Sequence, residues 1–329
     1  MYERNILSNY FQIIDEDRTA KYLQSKNIPV SFDKSDSIEI LCKIHDDSLD
    51  YTKIKDIEPN QSLIDLKIEL ANRIFKNCIF CENKCKINRN KDKGKCGVKQ
   101  TRISSEFLHI GEEEILIPSH TIFFSGCTFN CVFCQNWDIS QRINGLYVKP
   151  DRLAEIIKNR KYQGSINVNC VGGDPNPNIS YILKTLKNLD VNIPQIWNSN
   201  MYCSIESMRL LDGIIDLYLT DFKYGNNKCA ERLSKIKNYF EIINRNHKEI
   251  YDKSEMIIRH LVLPNHIDCC SKPIIDWISE NIPGVLVNIM GQYRPEYNAG
   301  KYQDISRNVS IKEINEVKKY AEDKGIFLI

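Results

Sequence analysis

From about residue 118 onward, short apolar runs alternate with amphipathic stretches, and that alternation limits the fold more than any other property of the chain. Strands are predicted over residues 121–125, 165–171, 193–198, 214–222, 256–263 and 285–290. Helices are predicted between them, over 151–159, 179–189, 204–211, 228–238 with a further turn toward 251, and 272–280. A last helix over 311–323 precedes a short 326–329 segment. Strands joined by helical crossovers pair in parallel. No G-x-G-x-x-G loop is present, so a dinucleotide-binding fold lacks its fingerprint, and no motif recurs to mark a repeat array.

Buried parallel strands normally read as continuous apolar runs. Here polar residues interrupt them: Asn167 and Asn169 on one face, Asn198 and Asn200 on one face, Asp221 with Lys223, Arg259, and Asn288 with Gln292. Any one set is as well read as a satisfied structural group. Five sets in register read better as a wet, ligand-lined mouth, and the active sites of barrels sit at the C-terminal ends of their strands. The expected fold is α/β, a partial (β/α)6 TIM-like barrel over 118–300. A mainly helical extension (1–76) and a small cysteine-rich metal-binding segment (77–117) precede it, and a C-terminal helix and short strand (301–329) follow. Within the extension, residues 9–23 and 61–76 read as helices, and 31–60 give no element.

Thirteen cysteines is an odd number, and seven of them fall between Cys78 and Cys134 in two tight groups. That clustering points to metal rather than to a disulfide framework. In the second group, Ser125-Gly126-Cys127-Thr128-Phe129-Asn130-Cys131-Val132-Phe133-Cys134 has the spacing C-x3-C-x2-C directly after an apolar strand. Three thiolates can hold three irons of a cubane and leave the fourth open for another ligand, unlike a four-cysteine cluster. A zinc knuckle or an electron-transfer cluster is the alternative.

This segment, with the aromatic Phe133 before the last cysteine, resembles the signature of the radical S-adenosylmethionine superfamily. The resemblance implies a [4Fe-4S] cluster on Cys127, Cys131 and Cys134 whose open iron takes the amino-acid end of S-adenosylmethionine. It implies reductive cleavage to a 5′-deoxyadenosyl radical that abstracts hydrogen from a substrate. Val171-Gly172-Gly173-Asp174 resembles the family's Gly-Gly-Glu segment that meets the amino group, with Asp174 one carbon shorter than the family's acid. The order of Phe124-Ser125-Gly126-Cys127, Cys134-Gln135-Asn136-Trp137, Asp221-Phe222-Lys223-Tyr224, Arg259-His260-Leu261-Val262-Leu263-Pro264 and Gln292-Tyr293-Arg294-Pro295 is similar to uncharacterised proteins related to pyruvate formate-lyase activating enzyme. That likeness covers roughly residues 77–300. It implies cofactor contacts from Asp221, Lys223 and Arg259, and from Asn198 and Asn200, where Asn198 stands in place of an acid.

Cys78, Cys81, Cys85 and Cys96 form the other group, with spacing C-x2-C-x3-C-x10-C. Four thiolates suit a second iron–sulfur cluster or a zinc ion, and the spacing fits both. Cys42, Cys170, Cys203, Cys229, Cys269 and Cys270 are scattered and are expected to be small buried apolar residues.

Two functional classes fit: a radical enzyme, or a non-catalytic iron–sulfur or zinc protein that carries electrons or docks partners. In the first, the chain is a glycyl-radical-enzyme activase or a modifying enzyme of a peptide, protein, RNA or small molecule. The partners implied are an external one-electron donor such as a flavodoxin or ferredoxin and, for an activase, a protein substrate. A net charge of +2, from 45 basic and 43 acidic side chains, argues against a general polyanion partner and leaves only a local basic patch to bind nucleic acid. The first residues carry no apolar h-region and no stretch reaches about 18 apolar residues, so a cytoplasmic location without a membrane partner is expected.

Overall fold

The computed structural model describes residues 2–49 and 59–329. Eight strands form one sheet in sequential order: β1 (Ile103–His109), β2 (Ser119–Phe124), β3 (Asn167–Gly172), β4 (Gln195–Ser199), β5 (Leu217–Asp221), β6 (Glu255–Leu261), β7 (Leu286–Met290) and β8 (Phe327–Leu328). β1 runs antiparallel to β2, and every later neighbour pair is parallel. The sheet begins at β1 and ends at β8 without closing, which makes the partial TIM-like barrel expected from the sequence. β1 is an addition: its burial alternates and one face stays wet, so it lacks the apolar run that marks β2–β7.

Among the described residues there are thirteen α-helices. The first five precede the sheet: α1 (Tyr2–Ile6), α2 (Ser8–Ile14), α3 (Lys21–Asn27), α4 (Ile38–Asp47) and α5 (Leu63–Lys76). The helix predicted over 9–23 is thus two, parted by a turn in which Glu16 takes φ 65°. α4 occupies part of 31–60, where the pattern gave no element, and 50–58 lie outside the described residues. α5 starts at a capping box in which Asp65 Oδ2 accepts from the Ser62 backbone N–H at 3.0 Å.

The crossover helices are α6 (Trp137–Ser140), α7 (Pro150–Tyr162), α8 (Ile179–Lys187), α9 (Ile205–Leu211), α10 (Asn227–Ser234), α11 (Tyr239–Tyr251), α12 (Lys272–Asn281) and α13 (Ile311–Asp323). Period two sorts the strand residues. Val168, Cys170, Trp197 and Tyr218 pack outward in the large core beneath the helices. Ile196, Leu217, Leu219, Ile257 and Leu286 point inward and form a second core with Leu7, Tyr10, Phe11 and Leu116. The N-terminal helices therefore plug the bottom of the barrel. Glu255 holds them there by accepting from the Asn9 and Tyr10 backbone N–H groups at 2.7 and 2.9 Å.

Candidate active site

Residues 125–136 follow β2, and their turn depends on Gly126 at φ +87°. A Cβ there would lie 2.3 Å from Val98 Cγ2 and 2.6 Å from the Cys96 carbonyl, so only glycine fits. The loop is anchored through its backbone. Asn130 and Val132 N–H donate to the Ser234 and Leu233 carbonyls at 3.0 and 2.8 Å, at the end of α10. Buried Phe129 packs edge-on to Tyr202, and Phe133 packs edge-on to Tyr224 and Tyr293.

Cys127, Cys131 and Cys134 are free thiols that line a cavity of about 550 Å³ at the C-terminal ends of the strands. Burial pushes all three up, Cys131 to about 12, so a metal bound here would displace protons. Of the other expected site residues, Phe133, Gly172, Gly173, Asn198, Asn200, Asp221, Lys223 and Arg259 also reach this cavity.

Two of the expected site residues behave differently from the sequence reading. Asp174 does not line the cavity; it is 1% exposed and accepts from Thr128 Oγ1 and Ser199 Oγ, both at 2.8 Å. Burial pushes its carboxyl up to about 6 against those two hydroxyl bonds. The acid thus braces the cysteine loop against β4. Arg259 is held by protein carboxylates: Nε donates to Glu113 Oε1 at 2.8 Å, and Nη2 donates to Glu113 Oε2 at 2.5 Å and to Glu112. Asn288 Nδ2 bonds Glu113 at 2.8 Å, and Asn169 Nδ2 bonds Glu112 at 3.0 Å. Asn167 is satisfied below by Ser119, Tyr10 and the Leu116 carbonyl. So Asn167 and Asn169 lie beneath the cavity, whereas Arg259 and Asn288 line it with Glu112 and Glu113 as groups already paired to one another. Glu112 and Glu113 were missed by sequence reasoning. The only signal was a run of acids before β2 that needed a buried partner.

The remaining groups face the cavity. Lys223 Nζ donates to Asp221 Oδ2 at 2.5 Å; burial works against its charge, but the carboxylate outweighs this and holds the ammonium above its ordinary value. Asn200 Nδ2 donates to Thr128 Oγ1 at 2.9 Å and lies 3.7 Å from Cys127 Sγ. Asn198, 6% exposed, leaves its Nδ2 without a partner.

Cys78, Cys81, Cys85 and Cys96 are also free and share one segment, although no three of their sulfurs lie within 4.8 Å of one another. Lys84, Lys86 and Gly97 take positive φ there. Lys95 N–H points at Cys85 Sγ at 3.4 Å, and Arg89 Nη1 lies 3.8 Å from Cys78 Sγ. Asn83 Nδ2 donates to the Thr128 carbonyl at 2.9 Å, which ties this segment to the loop of Cys127. A larger cavity of about 1020 Å³ flanks the same segment, and none of the expected site residues reaches it. Lys76, Arg89, Lys91, Lys93, Lys99, Arg102 and Lys184 line it with Glu69 and Asp92. Of the scattered cysteines, Cys170 and Cys203 are buried as expected, whereas Cys269 is exposed and gathers with Cys229 and Cys270.

The Radical SAM superfamily model matches residues 121–278. This chain belongs to the radical SAM superfamily, whose members use a [4Fe-4S] cluster and S-adenosylmethionine. It is 49% identical to the uncharacterised protein MJ0674 of Methanocaldococcus jannaschii over 98% of this chain and 99% of that one. Among solved structures, Streptococcus suis SuiB bound to S-adenosylmethionine matches 62% of this chain at 15% identity and TM-score 0.47, and the chain spans 47% of SuiB. Methylornithine synthase PylB matches 97% of this chain and 78% of its own at 13% identity and TM-score 0.47. Among the described residues no helix is long and apolar enough to cross a membrane.

Proposed function

We propose that this chain cleaves S-adenosylmethionine reductively at a [4Fe-4S] cluster held by Cys127, Cys131 and Cys134, and that the resulting radical takes hydrogen from a substrate at the barrel mouth. One observation carries the reading: three thiols of a single loop open onto a cavity of about 550 Å³, within the usual range of ligand pockets. The lining fits the cofactor pair. Unpartnered Asn198 Nδ2 is a donor waiting for an acceptor, and the Asp221–Lys223 pair presents both charges at the same wall. When bound, the cluster and S-adenosylmethionine supply a one-electron cleavage that yields a 5′-deoxyadenosyl radical.

The chain's own residues position and shield. Asp174 and Thr128 fix the loop that carries Cys127, and Asn200 Nδ2 lies beside that sulfur. Phe129 and Phe133 keep the loop's apolar side dry. Arg259, neutralised by Glu112 and Glu113, closes the cavity from below rather than offering a free cation. The basic groove beside the four-cysteine segment, where seven cations face two acids, suits an acidic one-electron donor.

The test is anaerobic reconstitution followed by dithionite and S-adenosylmethionine. The reading expects 5′-deoxyadenosine by mass spectrometry, and an intact reduced cluster without that product sinks it. Cys131→Ala is expected to abolish cleavage while far-UV circular dichroism stays unchanged. Retained cleavage would remove that cysteine from the ligand set.

A further inference from the structure

The thiols expected to be inert include a group that the fold assembles from two separate loops. Cys229 lies in the first turn of α10, after β5. His266, Cys269 and Cys270 follow β6. β5 and β6 are neighbours, so the loops at their C-terminal ends meet. Cys229 Sγ, Cys269 Sγ and a ring nitrogen of His266 all lie within 4.8 Å of one another. Cys229 and Cys269 sulfurs are 3.9 Å apart, and so are those of Cys269 and Cys270. A tetrahedral zinc ion with bonds of about 2.3 Å holds two thiolates about 3.8 Å apart. A disulfide needs about 2.0 Å, and these cysteines are free.

We propose that Cys229, His266 and Cys269 bind a single zinc-class ion at the rim of the barrel, and that Cys270, whose sulfur stands 3.9 Å from that of Cys269 but outside this group, turns in as the fourth ligand.

Two further observations support this. First, residues Ile267–Ser271 form a π-helical turn, in which the Ser271 N–H donates to the His266 carbonyl at 3.2 Å. Such turns are rare and occur mostly at functional sites; here the turn sets adjacent Cys269 and Cys270 against the partner loop. Second, His266 is 4% exposed and its Nδ1 faces the Pro264 carbonyl at 2.9 Å. That bond puts the proton on Nδ1 and leaves Nε2 with a lone pair, the outer-shell arrangement of metal-binding histidines. Arg232 Nη2 now lies 3.1 Å from Nε2. Ion binding trades that contact, and Asp304 retains the guanidinium through Nη1 at 3.1 Å. Three thiolates, one imidazole and a divalent ion sum to one negative charge, which Arg232 then offsets. Thiolate and imidazole donors select zinc over magnesium or calcium, and exposed Cys269 gives the ion a way in.

The site is separate from the radical chemistry but coupled to it through the fold. Cys229 and Ser234 stand five positions apart along α10, a rise of about 7.5 Å. Ser234 Oγ lies 2.9 Å from Cys131 Sγ. The ion would therefore fix the far end of the helix that anchors the radical-cluster loop.

The test measures zinc and iron per chain by mass spectrometry in full-length protein. The Cys229→Ser, Cys269→Ser double variant is expected to hold one zinc fewer than wild type, with iron unchanged. Cobalt-exchanged wild type is expected to show the visible bands of tetrahedral thiolate cobalt, lost in the variant. Equal zinc and equal bands overturn the proposal, and so does loss of iron in place of zinc. A measurement on wild type alone covers a variant that fails to fold: iodoacetamide labelling of Cys269 is expected to speed up on addition of a zinc chelator. Labelling that is insensitive to chelator, or that is released by reductant instead, overturns the assignment.

Discussion

Gly126 offers a quantitative check on how closely the two cysteine segments approach each other. Gly126 and Gly284 share φ +87°, yet a Cβ on Gly284 meets nothing within 4 Å, whereas one on Gly126 meets Val98 Cγ2 at 2.3 Å and the Cys96 carbonyl at 2.6 Å. Alanine at either position pays for the left-handed backbone, about 1–2 kcal/mol. It recovers about 0.4–1 kcal/mol by restricting the unfolded chain. Gly284→Ala therefore isolates the backbone term. Gly126→Ala adds an overpacking term of about 1–3 kcal/mol, because a backbone carbonyl cannot rotate away as a side chain can. The expected gap between the variants is that term alone. It appears as a lower urea midpoint at equal slope under anaerobic conditions. Metal content at the 78–96 group should fall in Gly126→Ala and hold in Gly284→Ala, since the Cys96 carbonyl must shift. Equal losses of stability in the two variants would show that the segments are not in contact.

Two other outcomes follow from buried charges. Lys67 is fully buried, donating to the Arg209 and Asp212 carbonyls at 3.1 and 2.6 Å, and burial lowers it to about 7. Between pH 7 and about 10.4 the unfolded chain binds a proton that the folded chain has released, so this lysine makes stability rise with pH across that window, on the order of 4 kcal/mol in all. Urea midpoints at pH 7, 8.5 and 10 should rise more steeply in wild type than in Lys67→Met, and parallel profiles would refute the assignment. Glu113→Gln leaves Arg259 with Glu112 as its one carboxylate and should cost about 3 kcal/mol. Thermal unfolding reads it, and a variant as stable as wild type would show that the pair contributes nothing net.

The strands β2–β7 were legible because burial on both faces demands continuous apolar runs, and Asn198, Asp221 and Lys223 were legible as departures from them. β1 was not, since Ile103–His109 alternates weakly against one neighbour. The break between α10 and α11 was hidden as well. Lys235 and Asn238 take φ 59° and 51° without a glycine to announce the turn. Asp174 was read as a cofactor contact, because sequence cannot show that Thr128 and Ser199 claim both its oxygens. The group at Cys229, His266 and Cys269 was invisible for another reason. Its members are brought together only by the adjacency of β5 and β6, and a lone helical cysteine and a Cys-Cys pair carry no metal spacing.

The vertical order of the barrel explains why the chemistry must sit at one end. At the bottom, Leu7, Tyr10 and Phe11 meet Ile196, Leu217, Leu219, Ile257 and Leu286 in a dry core. Above it, Glu112, Glu113, Arg259, Asn169 and Asn288 form a layer whose charges are mutually satisfied. An ion pair there need not add stability to be useful; replacing it with apolar residues is often neutral or better. It does provide a polar floor that leaves the Asn198 donor and the Asp221–Lys223 pair as the groups still able to bind. With the bottom plugged and the middle self-satisfied, the described residues leave the cavity open at the rim where Cys127, Cys131 and Cys134 lie. The N-terminal helices, whose pattern says nothing of cofactors, thus make the cavity one-ended.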